Sequence, residues 1–245
     1  EDITGQLEEI RAKQGICLSS RQETGTRMAF RHNLSIITGP PGTGKTMVLK
    51  SILEVYRLLY PDRKIVLMAP TGRASRRMAE STGFDMACTM HSGLGLLGGE
   101  SESESLIKDR FLDADLVIVD EFSMVDMWLA RQFFARIKAG AKIVMVGDPD
   151  QLPSVGAGNV FKELIQCGLI PVTVLDEIFR QASDSRIAHN AKFINSGSME
   201  LYYGEDFMVV DARTQEQAAE TLMDIYCREV RESGIEHVQI LSPYR

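Results

Sequence analysis

The sequence predicts an α/β protein whose strands form a parallel sheet. Five apolar runs, at residues 34–37, 64–69, 116–119, 142–147 and 171–175, have the continuous hydrophobic character of strands that are buried on both faces. Helical stretches and turn-rich segments separate the runs. Strands that alternate with helices in this way are typical of a parallel sheet with helices on both faces.

The composition is that of an ordinary globular protein. The 245 residues are 44% hydrophobic and 25% charged, and no apolar run approaches the roughly 20 residues that a membrane-spanning helix needs. Four cysteines lie far apart, without a C-x-x-C pair, so neither disulfides nor a zinc site is expected. We therefore expect a cytoplasmic protein with reduced thiols and no membrane partner.

The net charge of −7 argues, taken as a whole, against a nucleic-acid partner. Its distribution weakens that argument. Residues 1–181 carry 23 acidic and 21 basic side chains, a net of −2, whereas residues 182–245 carry 11 and 6, a net of −5. The acidity is concentrated in the last quarter of the chain, and a nucleic-acid site in the first three quarters is not excluded.

One short stretch carries most of the chemistry. Between the run 34–37 and a helical stretch at 47–59, the sequence fits the phosphate-loop pattern G-x-x-x-x-G-K-[ST]. The candidate nucleotide contacts in this loop are Gly39, Pro40, Pro41, Gly42, Thr43, Gly44, Lys45 and Thr46. Its backbone N–H groups can surround an anion, while Lys45 reaches the phosphates and Thr46 binds Mg²⁺. A plain turn would explain neither Lys45 nor the paired glycines, so a nucleoside triphosphate is the expected ligand.

Two further places suggest ligand contacts. Asp120 and Glu121 follow the run 116–119 and suit Mg²⁺ binding and orientation of an attacking water, although acids that cap the next helix are the simpler alternative. Gln22 lies in a helix expected to begin after Ser19 or Ser20. Its amide can both donate to and accept from an adenine edge, and the alternative is an exposed helix glutamine without a ligand.

Elements at the two ends of the chain predict its domain organisation. Residues 1–15 are expected to form a short charged helix, the tail of an upstream region. Beyond the fifth run, helices are expected at 185–194 and 215–232 and strands at 207–210 and 238–241. These elements predict a second, partial α/β lobe.

Six motifs follow one another in a fixed order along the chain, at residues 39–46, 69–74, 89–91, 119–126, 146–158 and 178–181. As a set they resemble the motifs of superfamily 1 DNA helicases, and specifically those of the RecD-like group. The most specific pieces are Gly-Asp-Pro-Asp-Gln-Leu-Pro-Ser-Val-Gly at 147–156 and Phe-Arg-Gln at 179–181. The resemblance implies a RecA-like P-loop NTPase fold, with a first ATP-binding domain at 16–177 and a partial second RecA-like domain, truncated, at 178–245.

The resemblance also implies roles for the nucleotide-site residues. Gln22 would contact adenine, Lys45 the phosphates, Thr46 and Asp120 the Mg²⁺ ion, and Glu121 would act as the catalytic base. ATP and Mg²⁺ are thus the expected ligands.

Other matching residues would close the cleft and bind DNA. Gln151 would sense the γ-phosphate, and Arg180 would act as an arginine finger, with an ion pair to Asp176 or Glu177 as the alternative. The residues implied to line the path of single-stranded DNA are Pro70, Thr71, Gly72 and His91. The expected activity is ATP-driven movement on single-stranded DNA, 5′ to 3′, in recombination or repair.

Two departures from the group affect this expectation. Residues 92–110 are rich in Gly, Ser and Glu and are expected to form an exposed insertion where RecD-like enzymes have a strand-separating hairpin. The group's pattern also continues past residue 245, so the chain is expected to be a piece of a longer protein, weakly active by itself.

Alternative functions remain open. An AAA-type ATPase that remodels proteins would use the strand 117–119 and its acids equally well, and the chain alone could bind nucleotide without motor activity. A GTPase is disfavoured because the sequence has no Asn-Lys-x-Asp signature for guanine.

Overall fold

The computed structural model describes residues 2–96, 111–177 and 185–242. The chain divides into two compact units, residues 1–184 and residues 185–245. The first unit contains the sheet, the phosphate loop and both predicted carboxylates.

Within the described residues, the first unit has a six-stranded sheet. Its strands, in chain order, are β1 (Leu34–Thr38), β2 (Ile65–Ala69), β3 (Ala87–Thr89), β4 (Leu116–Val119), β5 (Lys142–Gly147) and β6 (Val172–Val174). The order across the sheet is β3-β2-β4-β5-β1-β6, and every neighbouring pair is parallel. The predicted parallel α/β fold is confirmed; β3 is a strand that the sequence pattern did not predict.

Helices cover both faces of this sheet. In chain order they are α1 (Thr4–Gln14), α2 (Ser20–Arg31), α3 (Lys45–Leu59), α4 (Gly72–Thr82), α5 (Met90–Gly93), α6 (Met127–Arg136) and α7 (Val160–Gln166). Successive strand residues point to opposite faces, so Ile37 packs in one apolar cluster and Ile36 in the other. The continuous apolar runs follow from this arrangement, because both faces of each central strand are buried.

Helix α1 belongs to the first unit. Its Ile10 is 2% exposed and Ile3, which precedes the helix, is 0% exposed, and both lie in the same cluster as residues of α2 and α3. Residues 3–14 therefore pack on the same compact unit as the phosphate loop, whereas the sequence predicted that the first domain begins at residue 16.

Local capping sets where several helices begin. Ser19 caps α2 as predicted, in a box in which the Ser19 side chain accepts from Gln22 N and Gln22 Oε1 accepts from Ser19 N. Thr71 Oγ1 accepts from Ala74 N at the start of α4. Asp126 Oδ1 accepts from Leu129 N at the start of α6.

The second unit is helical where the sequence predicted helices. Helices α8 (Arg186–Asn195) and α9 (Gln215–Ser233) are present. The predicted strands at 207–210 and 238–241 are wrong, since within the described part of this unit the only pairing is a single bridge between Gly204 and Phe207. Val209 is 60% exposed and Leu241 is 82% exposed. Apolar residues alone do not make a strand, which also needs a neighbour to take its backbone hydrogen bonds.

Two expectations about composition can be compared with the structure. All four cysteines are free. Among the described helices, none is long and apolar enough to span a membrane. Of the predicted insertion at 92–110, the described part holds the end of α5 and a short turn, and residues 97–110 lie outside the described residues.

A charged network joins β2 and β4 at the edge where these strands begin. Asp115 accepts a hydrogen bond from Lys64 N at 2.9 Å, and its carboxylate lies 3.0 Å from both Arg63 and Lys138. The bond from the Lys64 backbone, with the two cations, lowers the pKa of Asp115 to about 2 despite the opposing effect of burial. The ionised carboxylate therefore holds the two strand ends together.

We expect Asp115→Asn to lower the free energy of unfolding at pH 7 by about 1–3 kcal/mol, which is the usual loss when a hydrogen bond to a charged, largely buried side chain is weakened. Because the folded pKa lies below the ordinary value of 3.8, the stabilisation is present above pH 4 and is lost as the pH falls towards 2. Denaturant titrations between pH 2 and pH 7 measure this. Asp113→Asn, at a 69% exposed side chain, is the matched control and should have little effect; equal losses for both variants would contradict the assignment.

Candidate nucleotide-binding site

Three predicted motifs meet at one edge of the sheet. β5 pairs with β1 on one side and with β4 on the other, and all three strands run in the same direction. Their carboxyl ends are therefore side by side, which is where open α/β sheets bind ligands. The phosphate loop follows β1, Asp120 and Glu121 follow β4, and the loop that carries Gln151 follows β5.

These motifs surround a single cavity of about 460 Å³. The residues that line it are Pro41, Gly42, Gly44, Lys45, Thr46, Ala74, Arg77, Met78, Ser81, Asp120, Glu121 and Gln151. Five of the side chains to which the sequence assigned a role (Lys45, Thr46, Asp120, Glu121 and Gln151) are among them, although they are up to about a hundred residues apart in the chain. The structure thus brings these five together; their individual roles remain predictions.

The phosphate loop depends on its glycines. Gly42 and Gly44 have φ angles of 81° and 80°, in the left-handed region that other residues rarely adopt. A Cβ on Gly39 would lie 2.3 Å from Leu175 O, so the close approach of the loop to the end of β6 requires glycine there. Helix α3 begins at Lys45, and its unpaired N–H groups face the same end of the sheet as the loop.

The side chain of Lys45 lies over this loop. Its Nζ donates to Gly39 O at 2.5 Å and to Pro40 O at 3.1 Å. Burial lowers the pKa of Lys45, and the negative charges of Asp148, Glu121 and Asp120 oppose that effect. Lys45 is therefore a half-buried cation surrounded by acids, in a position from which it can move to an anion in the cavity.

Asp120 and Glu121 form a close pair of carboxylates. Asp120 Oδ1 accepts from Glu121 N at 2.9 Å. Burial raises the pKa of Asp120, and burial together with the Asp120 charge raises the pKa of Glu121. The ionised forms of both carboxyl groups are therefore disfavoured. A cation or a hydrogen-bond donor bound in the cavity would stabilise these ionised forms.

Glu121 also has an unusual backbone. With φ 53° and ψ 37° it is, among the described residues, the only non-glycine residue with positive φ. Such a conformation costs on the order of 1–2 kcal/mol. Its Oε2 is buried and has no hydrogen-bond partner within the described part of the chain. The side chain of Glu121 does not cap the short 3₁₀ turn Phe122–Met124 that follows it. Backbone strain and an unpaired carboxylate oxygen at one residue are typical of a functional position rather than of a helix cap.

Gln22 lies behind the phosphate loop. It is 2% exposed, so the alternative of an exposed helix glutamine is wrong. Its Nε2 donates to Thr43 O at 3.2 Å and its Oε1 accepts from Ser19 N. The amide therefore ties α2 to the loop, and its contact with adenine remains a prediction.

The residues predicted to line a DNA path lie outside the cavity. Thr71 caps α4, Gly72 is the first residue of that helix, and Pro70 precedes them at the end of β2. His91 is exposed on α5 and stacks on Trp128, with 6.2 Å between ring centroids. Arg180 lies outside the described residues.

Sequence reasoning missed Arg77. It lines the cavity from α4, and its charge acts on Lys45, Asp120 and Glu121. The available signal is its spacing, because Ala74, Arg77, Met78 and Ser81 share one helix face. This helix begins after β2, whose carboxyl end lies beside that of β4. Asp148, which is 4% exposed and also acts on Lys45, belongs to the motif at 146–158, but its position in that motif did not predict a role for it.

A phosphate loop after β1, two acids after β4 and a polar loop after β5 around one cavity define a P-loop nucleotide-binding protein. A model of the protein family described as "AAA domain" matches residues 18–219. The chain belongs to this family.

Curated relatives and solved structures agree with the motif resemblance. The chain is 32% identical over 235 residues to the ATP-dependent RecD2 DNA helicase of Deinococcus radiodurans, covering 96% of this chain and 31% of that protein. It is 30% identical over 165 residues to the RecBCD enzyme subunit RecD of Mycolicibacterium smegmatis, covering 59% of this chain and 30% of the relative. The crystal structure of the Pif1 helicase from Candida albicans superposes with a TM-score of 0.58 and 26% identity, over 94% of this chain and 50% of that one.

These matches confirm the RecD-like resemblance and the RecA-like P-loop fold. The chain spans about a third of the length of the curated relatives.

We expect Glu121→Gln to stabilise the protein at neutral pH. The raised pKa of Glu121 means that its contribution to stability is present below its ordinary value of 4.5 and is lost as the pH rises through the folded value. Removing one of two like charges should raise Tm at pH 7 by about 2–4 °C, which corresponds to about 1 kcal/mol in a domain of this size. Thermal unfolding between pH 4 and pH 8 measures the effect. Glu220→Gln on exposed α9 is the control; a Tm below that of the native chain at pH 7 would contradict the prediction.

Proposed function

We propose that the chain is the ATP-hydrolysing motor core of a DNA helicase or translocase. The observation that carries the proposal is the cavity at the carboxyl edge of the sheet, in which phosphate-loop, acidic and glutamine side chains from three strand ends meet. RecD and RecD2 relatives, which are named as DNA helicases or as a subunit of the RecBCD enzyme, support the choice among P-loop functions.

The residues present fit ATP and Mg²⁺. Gly39, Gly42 and Gly44 leave no side chain in the cradle, and the N-terminus of α3 favours phosphate. Thr46 and Asp120 provide the hard oxygen donors that Mg²⁺ prefers, and the unpaired Oε2 of Glu121 is a polar atom without a partner among the described residues. Bound Mg²⁺ would neutralise charge on the phosphate oxygens.

The chain's own groups then have distinct tasks. Lys45 exchanges its two loop carbonyls for phosphate oxygens, a stronger, charge-assisted interaction. Glu121, with its raised pKa, orients the attacking water and accepts its proton. Gln151 contacts the terminal phosphate, and Arg180 completes the site as an arginine finger, a contribution worth about 10³–10⁵ in rate in other NTPases.

Helix α4 connects the nucleotide cavity with the proposed DNA path. The loop Pro70–Gly72 starts the helix, and Arg77, Met78 and Ser81 line the cavity one to three turns later. A shift of α4 on hydrolysis would move the DNA-contacting loop with it. The proposal includes movement 5′ to 3′ on single-stranded DNA, a role in recombination or repair, and a cytoplasmic location, all supported by resemblance to RecD-like proteins.

The decisive experiment is steady-state ATP hydrolysis by the protein that carries this chain, with and without single-stranded DNA. We expect DNA to stimulate hydrolysis and Lys45→Ala to reduce the rate by at least about 100-fold, because positioning and charge stabilisation supply most of phosphoryl-transfer catalysis. The 245-residue chain alone should hydrolyse ATP weakly. Lys50→Ala, on the same helix outside the cavity, is the matched control.

Stimulation by unfolded protein, but not by DNA, would contradict the helicase proposal and favour the AAA-type remodelling ATPase instead. Hydrolysis that survives Lys45→Ala would contradict the assignment of the site itself.

DNA binding should depend on salt. Proteins that contact phosphates release counterions, so log affinity for single-stranded DNA should fall linearly with log salt, with a slope of about −0.7 per phosphate contact. Fluorescence anisotropy with a labelled oligonucleotide between 50 and 300 mM salt measures the slope. A flat profile would show that phosphate contacts do not hold the strand.

A further inference from the structure

Besides Lys45, the cavity is lined by a second basic side chain, to which the motif resemblance assigns no role. Arg77 lies on α4, and α4 contributes to the cavity wall with one face, formed by Ala74, Arg77, Met78 and Ser81. These positions are three or four residues apart, which is the spacing of a single helix face. Arg77 is the only charged side chain among the four.

Arg77 balances the charges of the residues that line the cavity. Among the residues that line it, Lys45 and Arg77 are basic and Asp120 and Glu121 are acidic. Without Arg77 the wall would carry a net negative charge, before the buried Asp148 nearby is counted. An anionic wall would repel the phosphates of a nucleotide, whereas the wall with Arg77 is balanced.

Arg77 shares the cavity wall with the two acids. It lines the same cavity as Asp120 and Glu121, and its charge acts on both of them as well as on Lys45. These are the groups to which the proposed function assigns the metal, the attacking water and the phosphates. Its side chain is exposed, and within residues 2–96, 111–177 and 185–242 no carboxylate forms an ion pair with it. The guanidinium is therefore available to a ligand, and its planar fork matches phosphate oxygens.

We propose that Arg77 contacts the terminal phosphate of ATP and makes the site distinguish ATP from ADP. This inference rests on the proposed ATP site. It assigns to the first unit its own phosphate-sensing arginine, carried by the helix whose first residues belong to the proposed DNA path. Loss of the terminal phosphate would then release α4 from the cavity.

The test measures binding of ADP and of a non-hydrolysable ATP analogue, each with Mg²⁺, by calorimetry on the 245-residue chain. Arg77→Ala should weaken the affinity for the analogue by about tenfold or more, which is the usual effect of losing a charge-assisted hydrogen bond. It should weaken the affinity for ADP by less than about twofold. Arg77→Lys should recover part of the loss, because it keeps the charge and loses the fork. Arg76→Ala is the matched control, since Arg76 lies next to Arg77 on α4 and does not line the cavity; it should change neither affinity.

Equal weakening of both nucleotides by Arg77→Ala would overturn the proposal and assign Arg77 to general charge balance. Unchanged affinities would overturn it as well. Circular dichroism of each variant checks the fold, and Arg77→Gln, which keeps the length of the side chain, provides a second test with the same expected loss. The outcome is separable from that of the proposed function: selective loss of analogue binding supports Arg77 even in a protein whose ATPase ignores DNA.

Discussion

The parallel pairing of β4, β5 and β1 is the constraint on which the site depends. Each strand delivers its following loop to the same edge of the sheet, so residues from positions near 45, 120 and 151 become neighbours without any direct sequence relation. The pairing in turn depends on burial of both faces of the sheet, to which α1 to α7 contribute two separate apolar clusters. A shift of one residue in the register of any of the three strands would exchange the faces of its side chains and displace its loop.

The site is costly to maintain. Two carboxylates with raised pKa values lie together, Glu121 has a left-handed backbone and an oxygen without a partner in the described chain, and a lysine is half-buried among acids. Each of these features disfavours the folded state, and the packed sheet around them compensates. The positive charges of Lys45 and Arg77 offset the negative charges of Asp120 and Glu121, so the cavity wall is close to neutral. A bound phosphate could therefore draw the basic side chains towards itself.

Much of this arrangement could be predicted from the sequence, and the reasons differ by residue. The phosphate loop was predictable because its chemistry depends on neighbouring residues, and the central strands because burial on both faces makes them continuously apolar. Asp120 and Glu121 could be assigned to the phosphate site because they are paired acids at the end of a buried strand. Gln151 could be grouped with Lys45 only through the resemblance, since nothing local records which strand ends are adjacent.

Other features could not be predicted because they depend on three-dimensional neighbours. The burial of Gln22 follows from the position of the Thr43 carbonyl, to which its amide donates. The presence of Arg77 in the cavity wall follows from which face of α4 meets the cavity. The runs at 207–210 and 238–241 have strand-like composition, but a strand also needs a partner, and composition does not provide one.

A structure with Mg²⁺ and a non-hydrolysable ATP analogue tests the central claim most directly. We predict that Lys45 Nζ leaves Gly39 O and Pro40 O for the phosphates, with Asp120 and Glu121 facing the metal and the terminal phosphate. A nucleotide bound away from the 39–46 loop, or acids directed away from its phosphates, would contradict the account.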